Sequence, residues 1–509
     1  MIRRTLAAAG TGLLATAAGV AVAELLATAT RPPAAPLVAV GATVVDGAPA
    51  PVKEWAVRTV GTYDKPLLLG GIALALAVLA AVAGVLARRR PAWRLLGPAV
   101  LGAVGAGAAL TRPDARPTDV LPALAGAAVA AALLRRLPLP GLSRVRPART
   151  AGPPADPSGP TRRVLVRNAT LVALGTALAG VGTAVLRRAN VADAARSRAA
   201  VRLPAPASPA RPLPAGAAPG FRTPTAEFYR VDTALTVPRL DVDSWRLRLH
   251  GLVARPVELR FADLLDRGLI ERDITLSCVS NEVGGPYVGT ARWLGTPLAP
   301  LLRAAGIRAG ADQLVARSSE GMTIGTPIAT LLDGRDALLA VGMNGEPLTF
   351  EHGFPVRMLT PGLYGYAGAC KWVTELEVTT FDAFDAYWVR RGWAREAPVR
   401  TASRIDRPAP FARPAAGPVT VAGVAWAQHR GIGAVEVSVD GGPWRPADLL
   451  PTASTDTWVQ WRYAWSAPPG PHSLRVRATD GAGGVQPEQR RTPFPDGATG
   501  WHTISVTVR

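Results

Sequence analysis

Histidine is missing from the first 249 residues of this 509-residue chain: His250, His352, His429, His472 and His502 all come later. A membrane b-type haem clasped by two histidines is thereby excluded from the apolar half. With two cysteines and no Cys-x-x-Cys-His run, a c-type haem attachment is excluded as well. Charge is scarce where the sequence is most apolar, and Glu24 is nearly the only ionisable residue inside the hydrophobic runs. A transporter or proton pump needs ionisable groups at mid-membrane, so this half reads as an anchor, and as a docking site for a partner. Aromatics are uneven too. Nearly all Trp, Tyr and Phe lie after residue 220, while Ala, Leu, Val and Gly dominate the first 190 residues. A chain too long for one ordinary domain, split in this way, implies a membrane part followed by a globular part.

The formal net charge of +20 does not mark a nucleic-acid binder. Phosphate recognition would place basic residues with aromatics on one soluble face. Here Arg88-Arg89-Arg90 and Arg135-Arg136 directly follow apolar stretches, as positive residues do at cytoplasmic membrane edges. The spans read as Leu6 to Ala23, Leu67 to Ala87, Leu95 to Leu110, Val120 to Leu134 and Asn168 to Leu186. They number five, or three if the short Ala/Gly-rich pair is re-entrant. The first has a cleavable signal peptide as its competing reading. Eight arginines and one acid, Asp156, lie from Arg135 to Arg167, which assigns that loop to the cytoplasm and everything after Leu186 to the outside. Thr161-Arg162-Arg163-Val164-Leu165-Val166-Arg167 resembles a twin-arginine export signal, with an ordinary positive flank as the alternative.

The expected organisation is an all-α transmembrane region over 1–190, a Pro/Ala-rich linker over 191–220, an α+β domain over 221–405 and an all-strand domain over 406–509. Trp245 to Leu249 alternates as a half-buried strand, and short helices start at Phe261 and Pro297. Beyond the Pro-rich run from Arg407 to Pro418, strands are expected at Val419 to Trp426, Ala434 to Val439, Trp458 to Trp465, Ser473 to Ala478 and His502 to Val508. Asp440-Gly441-Gly442 and Asp480-Gly481 turn the chain between them. This pattern suggests an immunoglobulin-like β-sandwich.

Three segments carry the chemistry. The first is Glu227 to Thr233, with Tyr229-Arg230 at its centre. The second runs from Ile274 through Cys278 and Asn281 to Gly285. The third joins His352-Gly353-Phe354-Pro355-Val356-Arg357, Pro361-Gly362-Leu363-Tyr364-Gly365-Tyr366 and Lys371-Trp372. Cys278 follows a strand and precedes Gly284-Gly285, where backbone N–H groups would be open to a ligand. A thiolate ligating a soft metal needs surroundings that favour negative charge. The bland readings are a surface Arg230, a core Tyr229, a capping His352, a salt-bridged Arg357, and a Cys278–Cys370 disulfide in a non-catalytic membrane protein with an exported binding module.

Taken in this order, with the Val421 to Gly442 tail, the segments resemble the sulfite oxidase family, over roughly residues 220 to 400 and again in the C-terminal domain. The resemblance implies a molybdopterin-dependent oxidoreductase performing oxygen-atom transfer, with Cys278 ligating molybdenum and Arg230 beside it in catalysis. It further implies that Tyr229, Arg230, Asn281, Ser318, His352, Arg357, Ala369, Cys370 and Lys371 line the cofactor, Cys370 doing so through its backbone as a buried small hydrophobe. A small-molecule substrate, a separate electron-transfer partner and a homodimer through the C-terminal domain follow from the same likeness. Glu282, after Asn281, stands where an arginine would favour sulfite.

Overall fold

Alanine, leucine and glycine in unbroken runs give the chain its first helices, because straight-chain and small residues lose little freedom in a helix. The computed structural model describes residues 2–49, 52, 63–112, 115–137 and 162–509. Two units divide it, Met1–Asp193 with Ala234–Thr236, and Ala194–Thr233 with Val237–Arg509.

The helical unit contains Ile2–Thr30, Asp64–Arg89, Trp93–Leu110, Leu121–Arg136 and most of the long Arg162–Ala200. Among the described residues, five helices are long and apolar enough to cross a membrane. A shorter helix, Pro36–Gly47, was not expected from the sequence. Small residues let the helices touch: a side chain on Gly12 would collide with the carbonyl of Ala80, and one on Gly84 with that of Ala8. The few charges are matched, with Arg187–Glu24 at 2.7 Å, Arg31–Asp119 at 2.8 Å and Arg112–Asp46 at 2.7 Å. The arginine-rich stretch 138–161, and with it the head of the twin-arginine segment, lies outside the described residues.

The second unit begins inside the segment that composition marks as a linker. That segment is helical as far as Ala200 and then extended, with Ala207 N donating to Leu269 O at 2.8 Å and Ser208 bridging Ile270. Eleven strands follow: β1 (Arg246–Gly251), β2 (Val257–Arg260), β3 (Ile270–Ser277), β4 (Val288–Pro297), β5 (Gln313–Ser318), β6 (Thr323–Pro327), β7 (Leu338–Met343), β8 (Glu346–Pro347), β9 (Arg357–Leu359), β10 (Ala369–Cys370) and β11 (Val373–Thr379). They form one sheet in the order β2-β1-β11-β5-β6 and another in the order β10-β9-β7-β4-β3, with β8 on β7. Only short helices interrupt them, the longest being Leu298–Ala305, so the α+β expectation agrees with the architecture. Trp293, Leu247, Leu249 and Phe354 anchor the core, burying large apolar side chains worth about 1.5–3 kcal/mol each.

The last eight strands are β12 (Ala402–Arg407), β13 (Gly417–Trp426), β14 (Ile432–Val439), β15 (Arg445–Pro446), β16 (Asp448–Leu449), β17 (Val459–Ala467), β18 (Gly470–Asp480) and β19 (His502–Val508). Two four-stranded sheets, β12-β13-β17-β16 and β15-β14-β18-β19, share a core of Val421, Val437, Trp461, Leu474 and Ile504. Asp440 and Gly441 take left-handed backbone (φ +51° and +72°), which closes the turn after β14 as the Asp-Gly signal requires. The strand β12 pairs with β13 and so places the start of this domain ahead of residue 406.

Candidate active site

The strand β3 becomes progressively buried along its length and delivers Cys278 to the interior, where its side chain is 8% exposed. Its N–H donates to Tyr287 O at 2.9 Å, Asn281 N donates back to Cys278 O at 3.1 Å, and Asn281 Oδ1 accepts from Tyr287 N at 2.8 Å. Asn281 therefore knots the loop after the thiol. Of the Gly284-Gly285 pair, one backbone donor is already spent within the loop. Gly285 N is used by Glu282 O, Gly285 O accepts from Arg404 Nη1 at 2.8 Å, and Gly284 (φ +79°) packs under the His502 ring. Burial pushes the Cys278 thiol up, while hydrogen bonds from Ser280 pull it back. A bound cation would reverse that balance, since a coordinating thiol is deprotonated outright.

Both cysteines are free thiols, which overturns the disulfide reading. Cys370 is 1% exposed in β10, paired with Met358 of β9, and burial pushes its thiol far up. Its neighbour Ala369 pairs with Leu359.

A buried basic cluster forms around β9. Gly353 (φ +107°) lets the His352 turn press against Lys371, since a Cβ there would lie 3.2 Å from Lys371 Cα. His352 Nε2 donates to Thr225 O at 3.0 Å, and burial, helped by Arg357, pushes its pKa down to about 4, so the ring is neutral at physiological pH. Arg357 donates from Nη1 to His352 O at 3.3 Å and lies 5.0 Å over the Trp293 ring; burial pushes it down to about 10. Lys371 Nζ donates to Asp232 Oδ2 at 2.8 Å and Glu351 O at 3.2 Å, and burial pushes it down to about 8. Trp372, next to it, holds left-handed backbone (φ +52°), a strain on the order of 1–3 kcal/mol of the kind that collects at functional sites.

Tyr229 joins thiol and cations. It stacks on Phe228 at 5.2 Å, and Cys278 and Arg357 both act on its hydroxyl, which burial pushes far up. Arg230 is 41% exposed and pairs with Asp232 at 3.0 Å, sharing that carboxylate with Lys371. Ser318 spends its hydroxyl on its own turn, accepting from Glu320 N at 3.3 Å and Met322 N at 3.1 Å. The neighbouring Ser319, whose N–H donates to Trp372 O at 2.9 Å, has a buried hydroxyl with no partner. Sequence reasoning missed Ser319 and also Tyr364. The latter is 5% exposed, and burial pushes its phenol up to about 12, with Cys278 adding to the shift. The signal for Tyr364 was the Pro361 to Tyr366 motif itself.

These residues fit an anionic, acceptor-rich cofactor. Arg357 Nε and Ser319 Oγ are buried donors without acceptors, which native structures rarely tolerate. Among the described residues no group of three or more His, Cys, Asp or Glu is arranged to hold a metal ion.

Residues 234–388 match the oxidoreductase molybdopterin binding domain. Mitochondrial sulfite oxidase of Mus musculus is 30% identical over 348 residues, covering 57% of this chain and 62% of that protein. Sulfite oxidase of Gallus gallus is 30% identical over 317 residues, covering 53% of this chain and 68% of its own length. The crystal structure of the sulfane dehydrogenase SoxCD from Paracoccus pantotrophus aligns with a TM-score of 0.51 at 26% identity, over 57% of this chain and 82% of that one. The chain belongs to the sulfite oxidase family of molybdopterin oxidoreductases, and its cofactor is molybdopterin with molybdenum. It spans about three fifths of the mammalian relatives it matches, 59% of the human protein for example.

The neutral state of His352 has a measurable consequence in the cofactor-free chain. Unfolded, this ring takes a proton near pH 6.5, and folded only near 4. Between those values the unfolded state binds more protons, so stability is lost as pH falls from about 6.5 toward 4. His352→Gln is expected to flatten melting temperature against pH in that window, removing close to one proton of linkage. An unchanged slope would show that another group carries it.

Proposed function

We propose that this chain is a membrane-anchored oxidoreductase that transfers an oxygen atom, with two electrons, between a small substrate and water outside the cytoplasm. The observation that carries this reading is a buried, unbridged thiol at Cys278, tied through Tyr229 to a cationic pocket with unused donors.

In this reading Cys278 ligates the molybdenum as a thiolate. Arg357, with its planar donor fork, and Lys371, as a point charge, hold the anionic and pterin oxygens of the cofactor. Ser319 adds a hydroxyl, and His352 stays a neutral N–H donor whose ring is fixed by Thr225. Ala369, Cys370 and Lys371 line the pocket along β10 and beyond it. Arg230 and Tyr229 border the substrate side, where Asp232 keeps Arg230 oriented. The cofactor, when bound, supplies the two-electron exchange that side chains lack. The chain's contribution is position, exclusion of water and a fixed field of positive charge.

Sulfite is the substrate named in the mammalian and avian relatives, and a sulfane compound in SoxCD. The exposed carboxylate of Glu282, four residues after the thiol, favours a less anionic sulfur or nitrogen oxide here. In this reading electrons pass to or from a separate carrier. The five apolar helices support a multi-pass anchor in the cytoplasmic membrane, with the arginine-rich loop inside and the catalytic domain outside. Twin-arginine export would carry a domain already folded around its cofactor. The C-terminal domain reads as an immunoglobulin-like sandwich and as the surface of a homodimer.

Metal analysis of the purified full chain is expected to give about one molybdenum per polypeptide, as a single ligating thiolate implies. S-oxides, N-oxides and sulfite, screened with an artificial electron carrier, should then reveal turnover. Folded, active protein free of molybdenum would refute the proposal.

A further inference from the structure

The strand that delivers Cys278 lies at the edge of its sheet. In the order β10-β9-β7-β4-β3 only one side of β3 is paired, through Thr275 with Thr290 and Ser277 with Val288 of β4. Its other side is closed from elsewhere. Ser208 O accepts from Glu271 N at 2.9 Å near the start of the strand. Near the thiol the C-terminal domain takes over. Thr275 N donates to Asp456 O at 2.9 Å, Trp458 N donates to Thr275 Oγ1 at 2.7 Å, and Gln428 Nε2 donates to Thr275 O at 3.0 Å and Ser277 Oγ at 3.1 Å.

Gln428 is 1% exposed, and its Oε1 is buried without a partner. A polar side chain kept at that cost, rather than replaced by an apolar one, points to a positional role. Its turn is held firmly. His429 has left-handed backbone (φ +71°), its N–H donates to Thr455 O at 3.0 Å, and its ring meets Asp456 at 3.1 Å. Arg430 is pinned to Asp480 at 2.9 Å. The same turn packs on Gly362 (φ +83°), where a Cβ would lie 3.2 Å from Gln428 O, in the segment leading to Tyr364.

We propose that Gln428 is a positioning residue for the metal site, closing the edge of β3 so that the C-terminal domain fixes where Cys278 presents its sulfur. The inference rests on Cys278 being the metal's protein ligand. Its test uses Gln428→Met, which removes donor and acceptor at similar volume, and Gln428→Glu, which keeps the shape and removes the donor. The control is Gln460→Met, since Gln460 also has a buried unpartnered oxygen but reaches only Pro219. In cofactor-free full-length protein from molybdate-starved cells, alkylation of Cys278, read by mass spectrometry of its peptide, should speed by about tenfold in both Gln428 variants, as expected when a buried acceptor pair loses its donor and the strand opens locally. The control should match the unmodified chain. In loaded protein the paramagnetic signal of half-reduced molybdenum should change in the Gln428 variants alone. Alkylation at the unmodified rate in whichever variant folds, with an unchanged signal, would overturn the proposal. If the unmodified protein contains no molybdenum, the ligand assignment fails, while the alkylation arm still decides whether Gln428 holds the thiol.

Discussion

Cys278→Ser is expected to abolish turnover, by at least about a thousandfold, because a hydroxyl is a hard and barely ionised replacement for a soft thiolate ligand. The change is small in volume, and serine at a buried site within reach of the Ser280 hydrogen-bonding groups can be satisfied locally. The fold should therefore survive, with circular dichroism unchanged and a melting temperature lowered by no more than a few degrees, about what 1 kcal/mol produces in a domain of this size. Molybdenum content should fall less than activity, since in the proposed reading Arg357, His352 and Lys371 would still hold the rest of the cofactor. Activity within about tenfold of the unmodified enzyme would mean that no bond to this sulfur matters for the chemistry.

Arg357→Met should give effects of opposite sign on the empty and loaded chain. Without cofactor, Arg357 is a buried cation with one long hydrogen bond at 3.3 Å and an Nε that has none. Removing such an uncompensated charge in favour of an apolar side chain of similar length is expected to stabilise the cofactor-free protein by about 1–3 kcal/mol. The loss of the stacking on Trp293 subtracts from this without reversing it. Cofactor retention should fall by about 10–100-fold, the value of one or two charge-assisted hydrogen bonds to an anionic group. Thermal melting of the cofactor-free protein and molybdenum content after extensive dialysis read the two effects separately. A variant less stable when empty would mark Arg357 as a structural residue.

The family was legible in the sequence because the residues that carry the resemblance sit in three short segments whose internal spacing is set by tight turns. His352 and Arg357 flank a glycine and a proline, so their proximity is local. The C-terminal strands were legible because Asp-Gly turns punctuate them. Other parts were invisible for physical reasons. The helix Pro36–Gly47 is short, follows Pro32-Pro33 and opens on a third proline, which reads as loop, although proline in the first turn suits a helix start. Ala200 ends a helix that composition gave to a linker, because alanine and arginine favour helix as readily as disorder. Ser319 stood beside the expected Ser318, and only the turn geometry shows which hydroxyl is spent. Gln428 offered no signal, because closing a sheet edge joins residues 153 positions apart.

That distance orders the making of the pocket. Thr275 completes its bonds through Gln428 and Trp458, the latter 183 residues further along the chain. During synthesis the strand leading to Cys278 would emerge from the ribosome before β4, and even after pairing with β4 its other flank would stay open until those later residues had appeared and folded. A chain stopped before them would offer a bare ribbon edge to its neighbours, the kind of surface on which unfinished proteins clump. The strand that carries Cys278 therefore depends for its completion on residues made much later.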